Sequence, residues 1–422
     1  ASDVYKRQVH LAAQDSVAAA IELLEQASEL LRGQANSVQA LRVDNLWGEL
    51  LVRDGRDREG LERLLSVEER AARIGLSGQR VPALAHAAKA YRRLDRPDSS
   101  LALLERASAV WEAERSIPTD PLWREMRGSL GSRIHTDWAV QILERTGDPQ
   151  AAFDRLQPFK GRTLLERMSG PGEITPVSAD FVSLDELQRV LADDELFLDA
   201  YLGPESSLLF AVTKDEIRAW IWPAESGIED RVGLFHDVHQ IPASGASSSA
   251  EIDALHLMGR ELGDFLLGGI ADLVQASGRV LVAPDGILNL LPWGSLELSG
   301  SGSDVGTITL AERSISLVPS ATILAALRDQ DAEGVRGGPT RVRVFCEEAA
   351  PDGDTLPAAR REVDWLLRSF EEVTCAPAVG ESLGPLHGWR DQDVLHFAAH
   401  VRSHDAAPWQ SGISLGGATQ EV

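Results

Sequence analysis

A repeat with a 40-residue period governs the first part of the chain. The segments IELLEQASELL (21–31), LERLLSVEERA (61–71) and LALLERASAVW (101–111) follow one another at equal offsets. Between the first and third copies Leu24 falls over Leu104, Ala27 over Ala107 and Ser28 over Ser108. A period of that length holds two helices, and two helices alone cannot bury their apolar faces, so successive copies must stack. Turn residues recur at RDGRD (53–57), RLDRPD (93–98) and RTGDP (145–149), and Ala85, Ala88, Tyr91 and Leu94 recur at helical intervals between them.

The loose consensus resembles divergent tetratricopeptide repeats (TPRs) with lengthened loops. That resemblance implies a scaffold presenting a groove to a protein or peptide partner. The helical pattern continues through AAFDRLQPFKGRTLLERMSG (151–170), and GPGEITPVS (170–178) breaks it with two glycines and two prolines. The expected division is helical repeats over 1–169, a linker over 170–182 and a second domain over 183–422.

Beyond the break the pattern alternates. ELFLDAYL (195–202), SLLFAVT (207–213) and IRAWIW (217–222) read as three short strands of an antiparallel meander. A helical segment follows at 252–274, then the apolar segments RVLVAPDGILNLLPW (279–293), SISLVPSATILAAL (314–327) and RVRVFC (341–346), a helix over 358–370, EVTCA (372–376) and a strand in the run 394–401. Short apolar strands separated by helices imply an α/β domain with a mostly parallel sheet. The Gly/Ser-rich stretches 244–249 and 299–303 read as surface loops, and Trp220, Trp222, Trp293 and Trp365 as core or interface residues.

At 422 residues the chain exceeds one ordinary core. No apolar run approaches the roughly 18 residues needed to cross a bilayer. The opening ASDVYKRQVHLAAQ lacks a secretory signal, so a cytoplasmic location is expected, and the absent initiator Met suggests a fragment. Two cysteines, Cys346 and Cys375, make no disulfide framework. The net charge of −24 argues against direct binding of nucleic acid. GSGSDVG (300–306) is not framed by a strand and helix, and no Walker A motif occurs, so no nucleotide cofactor is expected.

DQDVLHFAAHVRSHDAAPW (391–409) carries His396, His400 and His404 four positions apart. On a helix this spacing stacks three imidazoles as a zinc site requires. On a strand four residues span roughly 13 Å, too far for His396 and His400 to share one ion. The apolar run 394–401 is short and interrupted, which favours a strand and makes no metal site expected. A histidine at the carboxyl end of such a strand stands where open α/β sheets place their chemistry, and His400 is that residue.

Six segments in order, FKGRTLLERM (159–168), LVAPDGILNLLPWGSL (281–296), SLVPSATIL (316–324), LPAARREVDWLL (356–367), VLHFAAH (394–400) and PWQSGISL (408–415), resemble the CHAT domain. This caspase-like domain often follows TPRs in bacterial proteins. The resemblance covers about 150–422 and implies a cysteine endopeptidase with a His/Cys dyad, in which an imidazole generates or stabilises the thiolate. It assigns that imidazole to His400 and makes His396 a packed or hydrogen-bonded strand residue. A glycine whose N–H helps hold the oxyanion follows the catalytic histidine in the family; here Val401 stands there, keeping the N–H but losing glycine's freedom of φ.

The family's nucleophile lies on the next core strand, and no cysteine follows His400. Cys346 and Cys375 precede it and read as small buried hydrophobes. The expectation is a chain truncated before its cysteine and inactive as it stands. Two alternatives remain: a non-catalytic scaffold, and a zinc hydrolase requiring residues 394–404 to be helical.

Overall fold

The computed structural model describes residues 17–117, 134–162, 164–165, 181–203, 206–223, 227–240, 249–300, 307–333, 340–346, 359–376, 394–398, 401–402, 412–415 and 418–421. Most of the expected linker (170–180), the loop segments 244–248 and 301–303, and His400 and His404 lie outside the described residues.

The helices α1 (Val17–Leu30), α2 (Val38–Arg53), α3 (Asp57–Arg73), α4 (Ser77–Arg93) and α5 (Pro97–Arg115) form the repeat. α1, α3 and α5 begin 40 residues apart, so the repeated unit is a helix hairpin. Gly55, Gly75 and Asp95 terminate α2, α3 and α4 with φ of 81°, 70° and 56°. The following N–H in each case reaches five residues back, Arg56 to Leu51 O, Leu76 to Ala71 O and Arg96 to Tyr91 O, at 2.8–2.9 Å. These are Schellman closures, in which a left-handed residue lets the chain fold back to satisfy the last carbonyls. The equivalent Leu24, Leu64 and Leu104 are all buried.

α6 (Ile134–Thr146) and α7 (Pro149–Leu156) follow, the second started by Asp148, whose carboxylate accepts from the N–H of Gln150 and Ala151. They cover one face of a sheet, where Val140, Phe153 and Leu156 join Phe197, Tyr201 and Phe210 in a single core. The sheet contains β1 (Glu195–Tyr201), β2 (Ser206–Val212), β3 (Ile217–Pro223), β4 (Arg279–Ala283) and β7 (Ser314–Leu317) in the order β3-β2-β1-β4-β7. The meander β1-β2-β3 is antiparallel as expected, whereas β1, β4 and β7 run parallel. β1 is central and buried along its whole length. Its other face packs on α9 (Ile228–Gln240), α10 (Ser249–Leu267) and α11 (Ala271–Ala276) through Leu196, Leu198, Val232, Leu262 and Val274. A short helix, α8 (Leu184–Val190), leads into β1 behind the capping box of Ser183 and Glu186. The small hairpin of β5 (Glu297–Leu298) and β6 (Ile308–Thr309) precedes β7, and α12 (Ala321–Glu333) follows it.

Trp222 and Trp293 are core residues, as expected. Trp220 and Trp365 are not, being 41% and 57% exposed. The Trp220 ring lies against Gly269, where an added Cβ would come within 2.3 Å of it.

The chain separates into two compact units, residues 1–330 and 331–422. The second contains β8 (Arg341–Cys346), α13 (Ala359–Ser369), β9 (Glu372–Ala376) and β10 (Val394–Ala398). Its three strands are parallel in the order β10-β8-β9, and α13 seals one face with Leu366 against Val342 and Val344. β11 (Val401–Arg402), β12 (Gly412–Leu415) and β13 (Ala418–Glu421) form an antiparallel ribbon. The architecture is thus helical repeats followed by mixed sheets that include parallel strands.

Candidate functional site

Residues 394–398 are a strand, which removes the helical stacking a zinc site on the spaced histidines requires. His396 lies opposite Val344 in the register with β8, and its Nε2 sits 3.3 Å from Glu362 Oε2 on α13. With Arg361, Glu362 and Trp365 it lines an open groove of about 520 Å³. His396 is therefore a half-buried, hydrogen-bonded strand residue.

His400, the expected thiolate partner, lies outside the described residues. Val401, the expected oxyanion donor, begins β11 and pairs with Ile413. Asp95 is the one non-glycine residue with positive φ among the described residues, so Val401 occupies ordinary backbone that valine adopts without strain. Cys346 ends β8 opposite Ala398, on the strand beside β10. Cys375 lies on β9, with β8 interposed, which places it two strand spacings, roughly 9–10 Å, from β10.

A buried polar cluster of the first unit lies towards the carboxyl ends of β1 and β4. Asp199 is fully buried in the middle of β1. The Lys160 ammonium donates to Asp199 Oδ1, Ala200 O and Ala283 O, each at 2.7 Å, and so satisfies all three of its protons. Tyr201 Oη donates to Asp199 Oδ2 at 3.0 Å, and Gln157 Nε2 reaches the same oxygen at 3.2 Å. Burial, followed by the charge and hydrogen bond of Asp199, raises the Tyr201 pKa well above 10.0, so the phenol stays protonated.

Lys160 belongs to the FKGR stretch, and each neighbour also has a contact. Phe159 stacks on His135 with ring centroids 3.3 Å apart and planes 7° apart. Gly161 has φ of 70°, and a Cβ there would come within 2.7 Å of Ser320 Oγ. Arg162 makes a bidentate pair with Glu112 on α5 at 2.6 and 2.9 Å. Lys160 thus ties this stretch to β1 and β4, and Arg162 ties it to α5.

His135 is 1% exposed, and neither ring nitrogen has a hydrogen-bond partner among the described residues. Burial, then the charges of Arg155 and Arg162, lower its pKa well below 6.5, so the ring is neutral. It lines a cavity of about 160 Å³ with Thr136, Phe159, Lys160, Tyr201 and Asp285.

None of this cluster was identified as a site from the sequence, although FKGR carried part of the family resemblance. The available signal was Asp199, a carboxylate inside the apolar strand ELFLDAYL, which must find a buried cation or donors. Its partner is 39 residues upstream, beyond the reach of local periodicity.

Comparison with known proteins supplies one family. No curated protein matches the chain. Two crystal structures of nearly identical TPR-like repeats from Podosopora anserina align with 15% and 16% identity. Each alignment covers 40% of this chain and 88% of the other, with a TM-score of 0.26. The family model of the CHAT domain matches residues 256–421, from α10 through β13. Over that span, the chain carries a CHAT domain.

Proposed function

We propose that this chain is part of a bacterial, cytoplasmic cysteine endopeptidase of the caspase-like kind, with helical repeats over 1–169, a linker over 170–182 and a CHAT domain over 183–422. The match to the CHAT domain over 256–421 is the observation that carries this reading. His400 acts as the thiolate partner of a nucleophilic cysteine, and the Val401 N–H contributes to the oxyanion hole. The substrate is a protein. The repeats bind a protein partner, and the FKGR junction transmits that event to the sheet, a role supported by the contacts of Lys160 with β1 and β4 and of Arg162 with α5.

A second reading, a non-catalytic interaction scaffold, is favoured by Val401 in the position the family gives to glycine. Expression of the gene product extended past residue 422 separates the two. Self-cleavage or cleavage of a co-purified partner that is lost in His400→Ala and on replacement of the downstream cysteine supports the peptidase. Absence of a downstream cysteine, or cleavage that survives His400→Ala, overturns the dyad, and absence of any cleavage supports the scaffold.

A further inference from the structure

The only two cysteines of the sequence, Cys346 and Cys375, come together in the second unit. They stand on neighbouring parallel strands, β8 and β9, whose register sets Val344 opposite Cys375. Residues paired in a parallel register project to the same face, and so do residues two apart on one strand. Cys346 follows Val344 by two positions, so both thiols project from one face near the carboxyl ends of the two strands. That face is the one α13 covers, since Val344 packs there with Leu366 and Cys346 borders the same cluster. The two are not the buried hydrophobes expected from the sequence. Cys346 is half-buried, Cys375 is exposed, and neither is in a disulfide.

Spacing decides what the two sulfurs can hold. Two residues along a strand and one strand across separate the Cα atoms by roughly 8 Å. A disulfide closes Cα distances of about 4.4–6.8 Å, so this pair does not oxidise to one unless a strand moves. Rotation about χ1 swings each Sγ towards the other and brings the sulfurs to roughly 4–6 Å. Two metal–thiolate bonds of about 2.3 Å laid end to end span about 4.6 Å. One ion in linear, two-coordinate geometry therefore fits where a disulfide does not. Thiolates are soft ligands, and they select soft ions such as Cu(I) over the oxygen-seeking Mg(II) and Ca(II). Exposure of Cys375 gives such an ion access from solvent.

We propose that Cys346 and Cys375 form a two-coordinate site for a soft monovalent metal ion of the Cu(I) class. Binding replaces two sulfur–hydrogen bonds with two sulfur–metal bonds and releases both protons to water, with no change of oxidation state. The site lies within the second unit and does not depend on the peptidase reading.

Two measurements on the reduced whole chain test it. In the first, the chain competes anaerobically with bicinchoninate for Cu(I). Uptake of a single ion per chain is expected, with affinity at least tenfold weaker in Cys346→Ser and in Cys375→Ser. In the second, the probe is p-aminophenylarsine oxide, which bonds to two neighbouring thiols at once. One arsenical per chain is expected by intact mass, together with loss of both thiols to a chromogenic disulfide reagent. If either serine variant fails to fold by circular dichroism, the arsenical result on the unaltered protein decides alone. Unchanged Cu(I) affinity in a folded serine variant overturns the proposal. So does a chain that keeps a reactive thiol after arsenical treatment, or an arsenical that bridges two chains instead of two thiols of one.

Discussion

Lys160 and Asp199 meet at 2.7 Å although 39 residues separate them, and the pair joins the end of the helical array to the central strand of a five-stranded sheet. Asp199 is fully buried and the Lys160 side chain is 11% exposed, so water contributes little to either charge. What makes the pair tolerable is complete hydrogen bonding, three acceptors for the ammonium and three donor groups for the carboxylate.

Lys160→Met removes the cation and leaves the Asp199 charge buried. The expected loss is about 3–5 kcal/mol of stability, the range for breaking one side of a buried pair. Adding Asp199→Leu should restore part of it, because the second change removes the stranded charge. Urea midpoints of the two variants measure this; a double variant no better than the single one contradicts the account.

His135 gives the fold a dependence on acid. Its folded pKa is lowered well below the ordinary 6.5, so the unfolded chain binds a proton first as pH falls. The contribution of the neutral ring is complete above 6.5 and declines as pH drops from there towards the folded value. The slope approaches about 1.4 kcal/mol per pH unit for one group. His135→Phe should flatten the difference in urea midpoint between pH 7.5 and 5.5 relative to the unaltered protein. An unchanged pH dependence counts against a buried neutral imidazole.

Asp95 stands where the two preceding closures have Gly55 and Gly75, at the same left-handed φ. Asp95→Gly should raise stability by about 0.5–1 kcal/mol, since glycine has no steric cost there. The thermal midpoint reports it, and a decrease would show that the Asp95 side chain contributes more than its backbone conformation costs.

Gly60 lies where α3 approaches α2 closely. A Cβ there would come within 2.6 Å of Val52 Cγ2 and 2.8 Å of Gly48 O. Overpacking of this kind costs about 1–3 kcal/mol, which exceeds the helix-propensity gain of roughly 1 kcal/mol. Gly60→Ala should therefore destabilise the array. Gly78→Ala, where no atom lies within 4 Å of the added carbon, should be neutral or stabilising by comparison. Similar midpoints for the two variants would indicate that the hairpin relaxes freely.

The sequence alone determined the features set by short-range chemistry. The repeat of 40 residues became helices starting at 17, 57 and 97, because turn residues and apolar spacing act within a few positions. The meander of β1 to β3 and the strand at 394–398 followed from alternation and from runs too short for helices. Tertiary structure decided what depends on partners distant along the chain. It assigned Lys160 to Asp199, left the His135 ring without a hydrogen-bond partner in the cavity it shares with Asp285, and separated buried Trp222 from half-exposed Trp220 on the same strand face. A buried charge announces that it needs a counterpart, but only the packing of the array against the sheet determines which residue that is.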